Sequence, residues 1–199
     1  MTSRYAGEVG VGQLREGARA RILDTAYDLF SHNGIGSVGI DRIIAEASIA
    51  KATLYRHFQS KEELVLAFLE LREERWTHEW LEAEAERVAR TPQERVLGVF
   101  DALDEWFHRA DFEGCSFIKT LLEIDEPDSP IHRAAARHLG QIRGKLVLYA
   151  EQAGAREPEE MAYQLQVLMM GAIVSAGRGD REAASRARAF VERLLASST

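Results

Sequence analysis

The stretch from Ala26 to Leu64, AYDLFSHNGIGSVGIDRIIAEASIAKATLYRHFQSKEEL, constrains the fold most, because its apolar residues form short helical blocks separated by tight turns. Tyr27, Leu29 and Phe30 close an amphipathic helix, and Gly34 and Gly36 supply the positive-φ freedom that a helix stop uses. Ile40, Ile43, Ile44 and Ala47 then repeat at helical spacing. From Lys51 to Phe58 only Leu54 and Phe58 point inward, at i and i+4, which leaves Thr53, Tyr55, Arg56 and His57 on other faces. Two short helices joined by a three- or four-residue turn make a helix-turn-helix, whose second helix offers side chains to phosphates and base edges. With the nearby charges of Arg42, Lys51 and Lys61, the candidate DNA-contacting set is Arg42, Lys51, Thr53, Tyr55, Arg56, His57 and Lys61.

The order Ala26-x-x-Leu29-Phe30, Gly34, then Thr53-Leu54-Tyr55-x-His57-Phe58-x-x-Lys61-x-x-Leu64 is similar to the N-terminal pattern of the tetracycline-repressor (TetR) family of bacterial transcription regulators. So many residues at fixed spacing are far more specific than a lone short motif. The resemblance implies an all-α fold, with an N-terminal three-helix helix-turn-helix domain and a larger helical domain for effector binding and dimerisation. On this reading residues 1–12 are a flexible tail, with Arg4 and Arg15 near DNA, residues 13–60 are the reader, and residues 61–199 are the effector and dimerisation domain.

Four positions depart from the family pattern. Ser48 stands where the turn glycine is usual, Ala50 where a serine opens the recognition helix, and Val38-Gly39 where Thr-Ser opens the helix before it. Glycine at an N-cap costs a few tenths of a kcal/mol against serine and alanine about 1 kcal/mol, so both helices start on weak caps. The hydroxyl absent at Ala50 also removes one phosphate contact that the resemblance would otherwise imply.

A formal charge of −7 argues at first against a nucleic-acid partner, but the charge is uneven. Residues 1–61 hold eight Lys/Arg against six Asp/Glu, a net of +2, while the remainder holds 17 against 26, a net of −9. Counterion release needs local positive charge, and the acidic end would turn away from DNA. The absence of an 18-residue apolar stretch and of a hydrophobic leader points to a cytoplasmic protein. The single Cys115 excludes an intramolecular disulfide and reads as a small apolar residue at the start of a buried helix.

Helix punctuation continues beyond the reader. Ser60 and Glu63 form a capping box, with the Glu63 carboxylate expected on the amide of residue 60, and Thr91-Pro92-Gln93-Glu94 repeats the device. Gly114 and the turn EPDSP separate later helices, with starts at Ser129-Pro130, Pro158 and Asp180, giving about nine helices and no convincing strand. Trp76 and Trp80 lie near the far half of a long fourth helix, and Val96, Phe100, Leu103 and Phe107 form one stripe on the fifth. Each of these residues taken alone reads as core. As a set, Trp76, Trp80, Phe100, Leu103, Phe107, Phe117, Leu165 and Met169 suit the wall of a drug-sized pocket, with His78, His108, Gln164 and Gln166 within reach. The resemblance implies an effector pocket in this region, and a small apolar or aromatic effector fits such a wall.

The last two helices are expected to build an isologous four-helix dimer interface. Met161, Leu165, Leu168, Ala172 and Ile173 share one broad face, Gly171, Ser175 and Ala176 allow close approach, and Phe190, Val191, Leu194 and Leu195 give the partner seam. Leu168, Ala172, Ser175, Phe190 and Leu194 are the interface candidates. A two-fold dimer then places its recognition helices about 34 to 36 Å apart on a palindromic operator.

Nothing calls for catalysis, a metal or a cofactor. The sequence carries no nucleophile elbow, no phosphate-cradling glycine loop and no carboxylate pair in an apolar setting. The acidic runs read as solvated helix faces with partners such as Glu70 for Glu74 and Arg75, and His132 and His138 are six residues apart, on different sides of a helix. Arg178-Gly179-Asp180 is a glycine stop followed by a cap. Two other classes remain open: an architectural DNA-binding protein, which should be basic overall, and an enzyme or ligand carrier that has lost DNA binding, which would not need Tyr55, His57 and Lys61 together.

Overall fold

A computed structural model describes residues 17–87 and 89–198, so the expectations for the tail, Arg4 and Arg15 lie outside the described residues. Among the described residues the fold has nine helices and no strand. Three short ones form the N-terminal unit: α1 (Ala18–Asn33), α2 (Ile40–Ala47) and α3 (Lys51–His57). The rod α4 follows in three continuous parts, α-helical Lys61–Arg72, π-helical Glu73–Glu82 and α-helical Ala83–Arg87. Then come α5 (Pro92–His108), α6 (Ser116–Glu123), α7 (Pro130–Gln152), α8 (Pro158–Gly177) and α9 (Ala183–Ser198).

The caps explain where the helices start. Thr91 and Glu94 make the full reciprocal box at the head of α5. At α4 the box is skewed by one residue: Ser60 Oγ accepts from the Glu63 amide at 3.1 Å, but Glu63 Oε2 accepts from the Gln59 amide at 2.7 Å and not from Ser60. A carboxylate long enough to clear the first turn takes whichever orphan amide faces it. Gly39 and Ala50 cap α2 and α3 with no side-chain hydrogen bond, as their sequence predicts.

One core runs through both ends of the molecule. In the N-terminal unit Ile22, Ala26, Phe30, Val38, Ile43, Leu54 and Phe58 are fully enclosed, and Leu64 and Phe68 of α4 join them, with Phe30 edge-on to Phe68 at 5.4 Å. In the larger unit α5 packs against α7 and α9, and α8 packs against α7 and α9. The α4–α5 hairpin closes tightly at Gly98, where a Cβ would sit 2.6 Å from the Ala85 carbonyl oxygen.

Candidate nucleic-acid interface

The turn between α2 and α3 is built on Ser48, which adopts φ 52 and ψ 51 and passes its amide to the carbonyls of Ala45 and Ile44. It is the one non-glycine residue with positive φ among the described residues, in a conformation that glycine takes without strain. Leu54 and Phe58 anchor α3 at zero exposure, and the Arg19 guanidinium covers the outer face of the Phe58 ring at 4.9 Å. This anchoring turns Lys51, Tyr55 and Arg56 outward, with Thr53, His57 and Lys61 half-buried at the margins. Arg42 lies on α2, exposed, 2.9 Å from Glu46, and Lys51 reaches Asp41 at 3.3 Å. Such exposed pairs are worth roughly 0.2 to 1 kcal/mol, so phosphates can replace the carboxylates. All seven candidates therefore sit on or beside one protruding helix, and the chemistry they present is cationic and hydrogen-bonding.

Three contacts tie this reader to the lobe behind it, and none was legible in the sequence. Lys119 of α6 donates to the Ser31 carbonyl at 2.9 Å, and Glu123 Oε2, one turn on, accepts from the Gly36 amide at 2.6 Å. Arg75 pairs with Asp24 of α1 at 2.6 Å and lies 4.9 Å over Tyr27, rather than pairing with Glu70 on its own helix face. Gly34 alone supplies positive φ, at 80; Gly36 serves instead by leaving room for Glu123, whose Oε2 would be 3.2 Å from a Cβ there. The partners lie 51 to 88 residues apart in sequence, beyond the reach of any local pattern.

Behind α1 the lobe buries titratable side chains, and Arg72 and Glu73, in an acidic run expected to be a solvated helix face, are enclosed. Arg72, at 1% exposure, pairs with Glu113 at 2.7 Å and with the Tyr27 hydroxyl at 3.1 Å. Burial pushes the Glu113 carboxyl up to about 8. His138 stacks on Phe117 at 5.1 Å and pairs with Glu73. Cys115 starts α6 as predicted, and burial raises its thiol above the ordinary range, which keeps it protonated and a poor nucleophile.

The eight effector candidates converge on this lobe. Trp76, Phe100, Leu103, Phe107, Phe117, Leu165 and Met169 are all buried and Trp80 is half-buried, each packed into the common core. Trp106, not among the candidates, forms the hub: it lies 5.1 Å from Trp76, 6.0 Å from Trp80 and 4.8 Å from Phe112. Its place one residue before Phe107 hid it from a reading that followed a single stripe. Gln166 donates to the Leu139 carbonyl at 2.6 Å, Gln164 pairs with Glu160, and His78 and His108 are exposed.

At the far end the outward face of α8 differs from the stripe read in the sequence. Met161, Leu165, Ala172 and Ile173 face the subunit's own core, as do Val191 and Leu195 of α9. The exposed apolar stripe is Tyr163, Val167 and Val174, with half-buried Met170 between them, at spacings of four, three and four. Phe190 on α9 is 54% exposed beside it. Among the interface candidates Leu168, Ala172, Ser175 and Phe190 line a shallow groove between α8 and α9, while Leu194 is half-buried. The choice between two apolar stripes on one helix depends on which meets α7, which periodicity cannot say.

Residues 22–68 match the family described as bacterial regulatory proteins of the tetR family, and residues 92–191, half of the chain, match the tetracyclin repressor-like C-terminal domain. The chain belongs to the TetR family. A TetR-family transcriptional regulator from Streptomyces coelicolor superposes with a TM-score of 0.83 at 32% identity, over 91% of this chain and 89% of that one. The regulator QacR of Staphylococcus aureus is 35% identical over 60 residues, 30% of this chain and 32% of its own length. The regulator UidR of Escherichia coli is 43% identical over 51 residues, 26% of each chain. The chain thus spans about a third or less of these curated relatives, within one segment. TetR proteins are non-enzymatic DNA-binding regulators of transcription, and this chain is one by family. Among the described residues no helix is long and apolar enough to cross a membrane.

Proposed function

We propose that this TetR-family regulator is a cytoplasmic repressor, a homodimer that binds an approximately palindromic operator and is released by a small apolar or aromatic effector. In this reading residues 13–60 read DNA through Arg42, Lys51, Thr53, Tyr55, Arg56 and His57, joined by Lys61 at the head of α4, and residues 61–199 bind effector and dimerise. The observation that carries it is the polarity of the subunit: an exposed cationic helix at one end and an exposed apolar α8–α9 face, with Phe190 at 54% exposure, at the other. A face of that kind on a subunit with net charge −7 fits a second copy of the same helices, which bury it in a four-helix arrangement. Between the two ends lies the aromatic lobe around Trp76 and Trp106, joined to the reader by the continuous rod α4 and by the Lys119 and Glu123 contacts.

Selection of bound sequences from a random DNA pool tests the operator, and an inverted repeat is expected. Phe190→Glu should yield monomers by sedimentation and lose binding to the repeat, because a carboxylate buried in an apolar seam costs several kcal/mol. A dimeric Phe190→Glu protein, or a selected site with no symmetry, would refute the arrangement.

A further inference from the structure

The helix α7 spans 23 residues, about 34 Å at 1.5 Å per residue, and turns His138, Ile142, Leu146 and Tyr149 into the core. Its opposite side is unpartnered. Arg133, Arg137, Gly144, Leu148 and Glu151 are exposed there, Leu148 at 42%, and a Cβ at Gly140 or Gly144 would meet nothing within 4 Å. Lys145, at the margin, pairs with Glu82, but Arg133, Arg137 and Glu151 form no ion pair among the described residues. The face thus combines an exposed leucine, bare backbone and unpaired charges of both signs, the cations at its N-terminal half and the anion at its C-terminal end.

That arrangement is self-complementary. Arg133 and Glu151 stand equally far before and after Ile142, each by two and a half helical turns, so both point directly away from its buried side chain. Two copies of α7 laid antiparallel, with a two-fold axis level with Ile142, therefore set Arg133 of each copy against Glu151 of the other. In the same register the alkyl stem of Arg137 lies on Leu148 of the other copy and Ala136 meets Val147, while the two glycines lie where the helices cross. A parallel pairing would instead set Arg133 on Arg133 and Glu151 on Glu151. An anionic partner such as nucleic acid would leave Leu148 and Glu151 unmatched, and would meet a lobe, residues 62–199, with a net charge of −9.

We propose that the exposed side of α7 is a second self-association face, by which two copies of this chain pair antiparallel through Arg133, Arg137, Leu148 and Glu151. None of these residues lines the α8–α9 groove, so the contact adds to the dimer proposed above and does not depend on it. One helix face buries less than the roughly 1,000 Å² of a stable interface, which makes this a weak contact with a Kd on the order of 100 μM. Such a contact acts where something else holds the copies close, as DNA does for two dimers on neighbouring operators, and it makes their binding cooperative.

The test is sedimentation of the full-length protein at concentrations up to about 1 mM, where association beyond the dimer should appear and should weaken as salt rises. Arg133→Glu and Glu151→Arg each set two like-charge pairs across the two-fold axis and should weaken that association about tenfold. The double variant restores opposite charges and should return to within about twofold of the original protein. Gly144→Leu, which nothing inside the subunit obstructs, should abolish the association. Phe190→Glu should leave it in place, as monomers that pair only at high concentration. No species above the dimer at about 1 mM, a charge swap that fails to restore pairing, full association in Gly144→Leu, or its loss in Phe190→Glu would each overturn the proposal. The two interfaces fail differently: a Phe190→Glu protein that stays dimeric at micromolar concentration, with the charge-swap pattern intact above it, counts against the α8–α9 dimer and for the α7 face.

Discussion

Gly34→Ala strikes the junction between reader and lobe twice. The residue has φ 80 and ψ 160, a region that side chains other than glycine's pay about 1 to 3 kcal/mol to enter. Its new Cβ would also overlap Glu123 Oε1 and drive the carboxylate from the Gly36 amide. That hydrogen bond is charge-assisted but exposed, which places it at about 1 kcal/mol rather than the 1.5 to 3 of a buried one. The expected total is about 2 to 4 kcal/mol. Glu123→Ala alone should cost about 1 kcal/mol, and the double variant no more than Gly34→Ala alone, since the contact can be lost only once. Urea titrations of the four proteins close the cycle, with a coupling of about 1 kcal/mol expected. Operator titrations on the same set should show weaker binding in both single variants, because the reader is then tied to the lobe by fewer contacts. Strictly additive stabilities would refute the claim that Glu123 occupies the space Gly34 leaves.

Ser48→Gly should stabilise the protein by about 1 kcal/mol in urea titration by relieving the left-handed conformation, and a destabilised variant would mean that the Ser48 side chain contributes more than its backbone costs. Glu113, at about 8 when folded against an ordinary 4.5, favours the folded state fully below pH 4.5 and loses that contribution as pH rises through 8. Stability should therefore fall across this window, by at most about 5 kcal/mol and less because Arg72 is 2.7 Å away; Glu113→Gln should flatten the slope, and identical slopes would refute the shift. Lys61→Ala should weaken DNA binding on all sequences and lower the salt slope by about 1, whereas Arg56→Ala should change base preference by about 1 to 3 kcal/mol; uniform loss from both would show that Arg56 reads phosphate.

The reader was legible in the sequence because its determinants are local: Leu54 and Phe58 at i and i+4, the Ser48 turn, and the weak caps at Gly39 and Ala50 lie within a few residues of what they shape. Helix starts were legible for the same reason, and the one-residue shift of Glu63 onto Gln59 measures the limit of that reading. Tertiary structure alone decided which of two apolar stripes on α8 turns inward, since hydrophobicity has a period but no sign until α7 and α9 cover one side. It alone brought Glu123 to Gly36, 87 residues away, and placed Arg72 with Glu113 inside the lobe. Charged residues spaced like solvated helix faces carry no mark of burial, and their partners are set by the packing of distant helices, which a linear pattern does not record.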